Sequence, residues 1–226
     1  MPATVPVVRQ ALTDVAQRKQ AITDVLDGGR FPIIARPIDS QGGKDLDKLD
    51  SIDDLSAYVT RLPNDAFFVS NFIDYRGADG QFRKLRVVLV DGQPFASHMG
   101  ISSHWMIHYV NAHMDESADK RREEEQWFAT FDRDFAVKHR EALVAIGERV
   151  GLDYVTIDCA EMPDGTLLIF EVDNAGVVHA LDDPRMFPYK LPAMQKVFDA
   201  FRAMLLARAN GGAGKPRMGS GMLSCC

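Results

Sequence analysis

Three acidic residues, Asp158, Glu171 and Asp173, lie on two apolar segments that predict the strands of a β-hairpin. We take Pro163 and Asp164, within Met162-Pro163-Asp164-Gly165, as the two loop residues of this hairpin. Asp158 should then face Ile169 and lie diagonal to Glu171, and Asp173 should lie further along the same face. The opposite face is apolar throughout and comprises Val155, Ile157, Cys159, Leu168, Phe170 and Val172. One face is therefore expected in the core, while the other collects negative charge.

This acidic face predicts a site for a hard divalent cation. No basic residue alternates with the acids along these strands, and crowded carboxylates repel one another unless a cation lies between them. Carboxylates with Asn174 are oxygen ligands suited to Mg²⁺ or Mn²⁺, whereas the His and Cys ligands preferred by zinc are missing nearby. A hairpin whose outer face simply meets water is the alternative interpretation.

A second segment, the loop Ser40-Gln41-Gly42-Gly43, could bind phosphate. Consecutive glycines can direct several backbone N–H groups at one anion. The spacing matches neither the P-loop nor the Rossmann fingerprint, and a plain flexible turn is the alternative. Arg36 precedes this loop, and Lys84 and Arg86 share one face of another predicted strand. Each cation alone is typical of a surface charge, but together they could neutralise a triphosphate.

Three histidines form a loose cluster that is not a catalytic triad, because no Ser-His-Asp or Cys-His arrangement accompanies it. The register of the hairpin turning at Asp91-Gly92 places His98 on the same face as Leu85 and Val87, so we expect a buried histidine there. His104 and His108 are predicted on a loop, where they could contact a substrate.

Hydrophobic periodicity and turn residues predict short helices and strands that do not alternate regularly. The predicted helices cover residues 4–27, 51–61 with a capping box of Ser51 and Asp54, 116–151 and 192–209. The predicted strands cover residues 31–37 and 66–73 together with the two hairpins. The charged run 120–125 is expected on a solvated surface. This order indicates an α+β fold rather than a doubly wound parallel sheet.

Composition excludes several classes of protein. The chain of 226 residues has 26 basic against 32 acidic residues, a net charge of −6, which argues against a general nucleic-acid binder. No apolar run approaches the ~18 residues of a membrane span. Arg9 and Asp14 interrupt what would be a signal peptide, so a cytoplasmic protein is expected. The three cysteines, Cys159, Cys225 and Cys226, cannot form a disulfide framework.

These motifs together resemble the ATP-grasp domain, the nucleotide-binding fold of carboxylate–amine ligases such as glutathione synthetase and D-alanine–D-alanine ligase. The resemblance covers about residues 31–179. Asp158 followed by the FEVDN segment is similar to the family's Asp…Glu-x-Asn metal set. The family's phosphate-binding strand and glycine-rich lid resemble the segments FPIIARP and DSQGGKDL. The adenine-binding hinge resembles AFFVSNFID, and the strand with an arginine near the acceptor resembles RKLRVVLVDG. The HWMIHYV segment is most similar to ATP-grasp domains that follow tetratricopeptide repeats.

The resemblance implies two α+β lobes with antiparallel sheets that grip a nucleotide between them. It implies a small lobe with the lid at residues 1–74 and a large lobe with the metal-binding hairpin at 75–210. Residues 211–226 are expected to form a flexible tail, whose Cys225-Cys226 pair could serve lipid attachment or redox linkage or have no role. Family members also carry an N-terminal α/β domain that has no counterpart here. This domain could have been removed, could be supplied by another polypeptide or could be absent from the protein. A homodimer is also possible.

The resemblance also implies roles for individual residues with ATP and Mg²⁺ or Mn²⁺ as cofactors. Phosphate would be bound by Arg36, Ser40, Gln41, Gly42 and Gly43, and the adenosine by Asn71, Ile73 and Asp74. The metal would be bound by Asp158, Glu171 and Asp173, and the acyl phosphate or acceptor by Lys84 and Arg86. The sequence departs from the family at three positions. Arg36 replaces the family's usual lysine, Asp173 replaces the usual asparagine, and Asn71 replaces a residue that is commonly acidic.

The implied activity is ATP-dependent formation of a C–N bond through an acyl phosphate. The substrates would be a small-molecule or peptide carboxylate and an amine acceptor, which His104 and His108 could contact. The alternatives are a nucleotide-binding module or scaffold without independent catalysis, and a structural domain that binds no metal. A further domain or partner protein could be required for the full reaction.

Overall fold

The computed structural model describes residues 3–108 and 110–211, so the predicted tail lies outside it beyond Gly211. The chain divides into two compact units, with the division between Asp74 and Tyr75. Each unit contains a four-stranded sheet in which neighbouring strands are antiparallel. The predicted α+β class is therefore confirmed. Within the described ranges, no helix is both long and apolar enough to cross a lipid bilayer.

The first unit places two helices against its sheet, whose strand order is β1-β4-β2-β3. Its elements are β1 (Thr4–Val8), α1 (Arg9–Ala16), β2 (Ile33–Pro37), β3 (Asp47–Leu49), α2 (Ile52–Arg61) and β4 (Ala66–Asn71). Leu12 of α1, Leu55 of α2 and Phe67 of β4 are fully buried in one apolar core. This core fixes the strand β2, which carries Arg36 and leads into the glycine-rich loop.

The predicted helix over residues 4–27 is wrong at both ends. Residues Thr4–Val8 form β1, which pairs with β4 along its whole length, and α1 ends at Ala16. Valine is β-branched and favours strands, and Pro6 is tolerated because β1 is an edge strand that need not donate every backbone N–H. The apolar spacing that predicted a helix belongs to α1, where Leu12 and Val15 are buried.

The helix α2 begins as predicted at Ser51, whose Oγ accepts a hydrogen bond from the backbone N–H of Asp54 at 3.2 Å. The Asp54 carboxylate accepts one from the backbone N–H of Asp50 at 3.0 Å, one residue earlier than a capping box requires. The preceding strand β3 was not expected. It has three residues, of which Asp47 and Lys48 are charged, and so carries no strand pattern.

The second unit has the strand order β6-β5-β7-β8, so β5 and β7 are central. Its elements are β5 (Phe82–Val90), β6 (Gln93–Ser102), α3 (Ala118–Thr130), α4 (Phe135–Lys138), α5 (Arg140–Val150), β7 (Tyr154–Glu161), β8 (Leu167–Asp173) and α6 (Lys190–Ala209). Val88 and Val90 of β5 pack against Val197 and Met204 of α6. Both predicted hairpins are present.

The predicted helix over residues 116–151 is three helices, α3 to α5. The chain turns between Phe131 and Asp134, and the rings of Phe131 and Phe135 stack with centroids 5.4 Å apart. Burial of both rings favours this turn, although neither glycine nor proline marks it in the sequence. Gly151 ends α5 in the left-handed conformation, with φ of 65°.

A charged pair is buried where α3, β6 and the start of α6 meet. The Glu124 side chain is fully buried, and its Oε1 lies 3.2 Å from Nζ of Lys190. Oε1 also accepts a hydrogen bond from the backbone N–H of Met99 at 3.0 Å, and Oε2 accepts one from the Tyr189 hydroxyl at 2.6 Å. The predicted surface position of the charged run 120–125 is therefore wrong for Glu124, which ties three elements together.

We expect Lys190→Met to lower the free energy of unfolding by about 3–5 kcal/mol, because it leaves the Glu124 carboxylate buried without its cation. Lys196→Met is the matched control on the same helix. Its side chain is 64% exposed, so the change should be within about 0.5 kcal/mol. Urea denaturation measures both, and Glu124→Gln with Lys190→Met should recover part of the loss. Equal stability of Lys190→Met and the control would contradict this role of the pair.

Candidate functional site

Four polar residues form a row across the sheet of the second unit, with one on each strand. Arg86 on β5 pairs with His98 on β6. Asp158 on β7 pairs with Arg86 on one side and with Glu171 of β8 on the other. Directly opposed residues share one face of a sheet, with Cβ atoms about 4.5–5.5 Å apart. The row therefore brings an imidazole, a guanidinium and two carboxylates together on one face of the sheet.

Asp158 is the most tightly held member of this row. Arg86 donates from Nε to Oδ1 at 2.6 Å and from Nη2 to Oδ2 at 2.9 Å. Nζ of Lys84 lies 2.7 Å from Oδ2, and the Asp158 side chain is 4% exposed. A two-point guanidinium contact fixes both the position and the orientation of the carboxylate. The resemblance implies that Lys84 and Arg86 contact the acyl phosphate or acceptor, and the structure brings both of them to Asp158.

Burial and charge act in opposite directions on these groups. Burial raises the pKa of Asp158, but the hydrogen bonds and charges of Arg86 and Lys84 outweigh it and lower the pKa to about 2. The hydrogen bond to Asp158 raises the pKa of Arg86. Burial, helped by the charge of Arg86, lowers the pKa of His98 to about 3. At neutral pH the row therefore contains a charged Asp158, a charged Arg86 and a neutral His98.

The predicted register of the acidic hairpin is wrong by one residue from the turn onward, where Glu161 pairs with Leu167 and Cys159 with Ile169. A register shift between Asp158 and Cys159 adds a second residue, so that Asp158 pairs directly with Glu171. Such an irregularity puts an extra residue on one strand and redirects the side chains beyond it. Phe170, expected in the core, is 37% exposed. The shift brings Glu171 opposite Asp158 instead of diagonal to it.

A second register shift corrects the predicted place of His98. The strands β5 and β6 pair as expected from the Asp91-Gly92 turn as far as Val87, and the register shifts between Val87 and Arg86. His98 consequently shares a face with Arg86 rather than with Leu85 and Val87. Loop length sets a hairpin register only as far as the first irregularity, which the sequence does not mark.

The hairpin strands themselves carry no basic residue, but the acids receive cations from another strand. The strand β5 lies beside β7 in the sheet, although it is far away in the sequence, and it supplies both cations to Asp158. The acids are therefore partly compensated within the protein. A prediction confined to the hairpin could not include a cation that arrives from a neighbouring strand.

Glu171 and Asp173 fit a divalent cation better than Asp158 does. Glu171 is exposed, and within the described ranges its side chain makes no hydrogen bond or close ion pair. Asp173 pairs with Thr156 in the next row, and its Oδ1 accepts a hydrogen bond from the backbone N–H of Ala175 at 2.8 Å. In residues 3–108 and 110–211, no three His, Cys, Asp or Glu side chains are grouped closely enough to hold a metal ion. The oxygen donors are those Mg²⁺ prefers, but Asp158 already has partners.

The segment after β8 is held close to the sheet by residues that the sequence analysis did not single out. A Cβ atom on Gly176 would lie 2.0 Å from Oγ1 of Thr156, so only glycine allows this approach. The Tyr154 hydroxyl donates a hydrogen bond to the Gly176 carbonyl oxygen at 2.5 Å. These contacts fix the backbone next to Asp173. The sequence offers little signal for them, because a single glycine after a strand is common.

In the first unit, Arg36 contacts the glycine-rich loop directly. Its Nη1 donates a hydrogen bond to the Ser40 carbonyl oxygen at 2.8 Å, and the guanidinium lies 5.0 Å from the centroid of the Phe68 ring. Gly42 and Gly43 adopt φ of 61° and 74°, values that favour glycine. Gln41 precedes them on the exposed part of the loop. The structure thus brings Arg36 and Ser40 together, with the arginine directed at a carbonyl oxygen.

The predicted hinge residues lie at the end of β4. The Asn71 side chain is engaged within the first unit, since Oδ1 accepts a hydrogen bond from the backbone N–H of Arg30 at 3.0 Å and Nδ2 donates one to the Gly28 carbonyl at 3.2 Å. Ile73 and Asp74 follow the last residue of the strand, and Asp74 is exposed. Asn71 therefore holds the segment before β2 in place.

His104 and His108 lie on the segment between β6 and α3, as expected. The segment is anchored over β6, because a Cβ on Gly100 would lie 2.8 Å from Cγ2 of Ile107. The backbone N–H of His104 donates to Oγ of Ser102 at 3.0 Å. Gly100 itself pairs with Lys84, so this segment approaches the strand position next to the site.

We expect the free energy of unfolding to fall at acidic pH because of Asp158. Its pKa of about 2 lies below the ordinary 3.8, so the charged form stabilises the fold above pH 4. That stabilisation, about 2 kcal/mol, is lost as the pH falls towards 2. Urea unfolding at pH 5, 3.5 and 2.5 should show wild type losing about this much more than Asp158→Asn. Asp199→Asn, on the surface of α6, should retain the wild-type slope. Parallel slopes for wild type and Asp158→Asn would contradict the expectation.

Comparison with known proteins gives no match at the level of sequence families. No family model matches the chain, and no curated protein matches it. Solved structures do match. The D-Ala:D-Ser ligase VanG from Enterococcus faecalis is similar with a TM-score of 0.50 and 13% identity over 90% of this chain. A RimK domain ATP-grasp protein from Sphaerobacter thermophilus is similar with a TM-score of 0.49 and 16% identity over 91% of this chain.

The D-alanine–D-alanine ligase from Bacillus anthracis gives a TM-score of 0.48 with 11% identity over 94% of this chain. The chain spans 56% of the VanG structure, 60% of the RimK-domain structure and 64% of the Bacillus ligase. At these identities the likeness concerns the fold, and of these three matches the one to VanG reaches a TM-score of 0.50. The chain has the ATP-grasp fold.

Proposed function

We propose that this chain binds ATP with Mg²⁺ or Mn²⁺ and uses it to join a carboxylate to an amine through an acyl phosphate. The observation that carries the proposal is the row in which Arg86 holds the buried Asp158 next to the exposed Glu171. Asp173 extends the negative charge of this row along β8. A fixed guanidinium beside free carboxylates is suited to a phosphoryl group that arrives with its metal ion.

Glu171 and Asp173 would hold the metal, and Asp158 would orient Arg86 beside it. When bound, the metal neutralises phosphate oxygens and polarises the transferred phosphoryl group. Arg86 uses Nε and Nη2 on Asp158, and Nη1 makes no hydrogen bond within the described ranges. This nitrogen can donate to a substrate oxygen while Asp158 keeps the guanidinium fixed.

The proposed first step transfers the γ-phosphoryl group of ATP. A carboxylate oxygen of the acid forms a bond to the γ-phosphorus, the bond from phosphorus to the bridging oxygen breaks, and ADP leaves with the electron pair. Charge on the transferring group lies on its three outer oxygens. Arg86, with its raised pKa, stays protonated throughout and can stabilise that charge.

The proposed second step forms the C–N bond. The amine nitrogen attacks the acyl carbon, the carbon–oxygen bond to phosphate breaks, and the nitrogen loses a proton. We propose that His104 and His108, on the segment anchored next to Lys84, contact the acceptor. A small-molecule or peptide carboxylate is the proposed acid. In the first unit, phosphate would be bound by the loop Ser40–Gly43 together with Arg36, and the adenosine by Ile73 and Asp74.

A nucleotide-binding module without independent catalysis is the second candidate function. One feature favours it: the Asp158 charge is already compensated by Lys84 and Arg86. A further domain or partner protein would then complete the reaction. ADP release in the presence of candidate acids and amines separates the two functions, because a module binds Mg·ATP without acceptor-dependent release.

We expect Mg²⁺ and ATP together to stabilise the fold more than either alone. At a hundredfold excess over the dissociation constant, the gain is about 2.7 kcal/mol. Glu171→Gln should lose most of this joint effect, because an amide is a weaker metal ligand than a carboxylate. Glu148→Gln, an exposed position on α5, is the matched control. Urea denaturation with and without each component measures the gain, and an equal response to ATP with and without metal would refute the metal assignment.

Asp173→Asn should weaken Mg²⁺ binding modestly and still allow Mg·ATP to bind. Asparagine keeps an oxygen that can ligate the metal and accept the hydrogen bond from Ala175, but it removes one negative charge. Asp158→Asn should impair binding more, because it releases Arg86 and Lys84 from their partner. Calorimetric titration of Mg²⁺ at saturating ATP compares the two variants. Complete loss of nucleotide binding in Asp173→Asn would show that Asp173 has another essential partner.

A further inference from the structure

The hydrogen-bonding capacity of Asp158 is nearly filled by protein donors. An ionised carboxylate offers about four lone-pair positions. Oδ1 accepts from Nε of Arg86, and Oδ2 accepts from Nη2 of Arg86 and lies 2.7 Å from the Lys84 ammonium. Three of the four positions are therefore used, in a side chain that is 4% exposed. A metal ion could bind Oδ2 only if a donor left it.

The Lys84 ammonium is well placed to stay on Asp158. Its side chain is 19% exposed and starts from β5, the strand that also holds Arg86. Its partner on β6 is Gly100, and Ile107 occupies the space where a side chain on Gly100 would lie. Lys84 is thus fixed by its strand at one end and by Asp158 at the other.

The Lys84 ammonium opposes a divalent ion at Asp158. Its Nζ lies 2.7 Å from Oδ2, and Arg86 places a second positive charge on the same carboxylate. A second ion near Asp158 would lie beside the ammonium, and like charges at such distances repel strongly.

We propose, on the basis of the proposed function, that Lys84 replaces one divalent cation, so that the chain binds a single metal ion with each nucleotide. Lys84 is then a residue that determines metal stoichiometry. Glu171 and Asp173 hold the single ion, and the Lys84 ammonium supplies the remaining positive charge through Asp158.

The test counts Mn²⁺ bound to the full chain in the presence of saturating β,γ-imido-ATP, by equilibrium dialysis and by the electron paramagnetic resonance signal of free Mn²⁺. Wild type should bind one Mn²⁺ per nucleotide, and Lys84→Met should bind two because Oδ2 of Asp158 is exposed to the second ion. Lys84→Arg keeps the charge and should stay at one. Lys196→Met, a surface lysine of α6, should also stay at one.

Two Mn²⁺ per nucleotide in wild type would overturn the role of Lys84 and leave the proposed function standing. One Mn²⁺ in Lys84→Met would overturn it as well. Failure of wild type to bind the nucleotide with or without Mn²⁺ would instead refute the proposed function. If Lys84→Met does not fold, Lys84→Ser makes the same measurement, because its short polar side chain also removes the ammonium from Oδ2 of Asp158.

Discussion

The charge on Asp158 is the constraint that organises the second unit. A carboxylate buried in a sheet is unstable unless cations and hydrogen-bond donors surround it. Arg86 and Lys84 provide them from β5, the strand beside β7. Both register shifts of this sheet occur next to the Arg86–Asp158 pair, one on each side. Irregular pairing of this kind is common beside functional sites because it redirects side chains. Here it aligns His98 and Glu171 with the pair.

A second buried acid supports the same strands from outside the row. Glu124 of α3 accepts a hydrogen bond from the backbone N–H of Met99, the residue after His98, and pairs with Lys190 at the start of α6. The helix α6 then packs against Val88 and Val90 of β5. Two buried carboxylates, each with its own lysine, therefore fix β6 and β7 on either side of β5. Beside the Val88 and Val90 positions, β5 carries Lys84 and Arg86, whose charged side chains are held in place by Asp158.

The sequence predicted the parts of the fold whose signals are local. Both hairpins, the cap at Ser51 and the α+β class follow from turn residues and from alternation of apolar side chains. The direct pairing of Asp158 with Glu171 could not be predicted, because a register shift depends on packing of the whole sheet. The Lys84–Asp158 contact joins strands that are distant in the chain. The turn after Phe131 depends on ring stacking and has no glycine or proline to mark it.

The metal assignment is tested most directly by anomalous diffraction from crystals of the chain grown with Mn²⁺ and β,γ-imido-ATP. The structure leads us to expect one manganese peak bound by the carboxylates of Glu171 and Asp173, with the Lys84 ammonium still on Oδ2 of Asp158. Nucleotide phosphates should complete the coordination of this ion. A nucleotide bound without manganese at Glu171, or manganese bound directly to Asp158 in place of Lys84, would contradict the arrangement of charges described for this site.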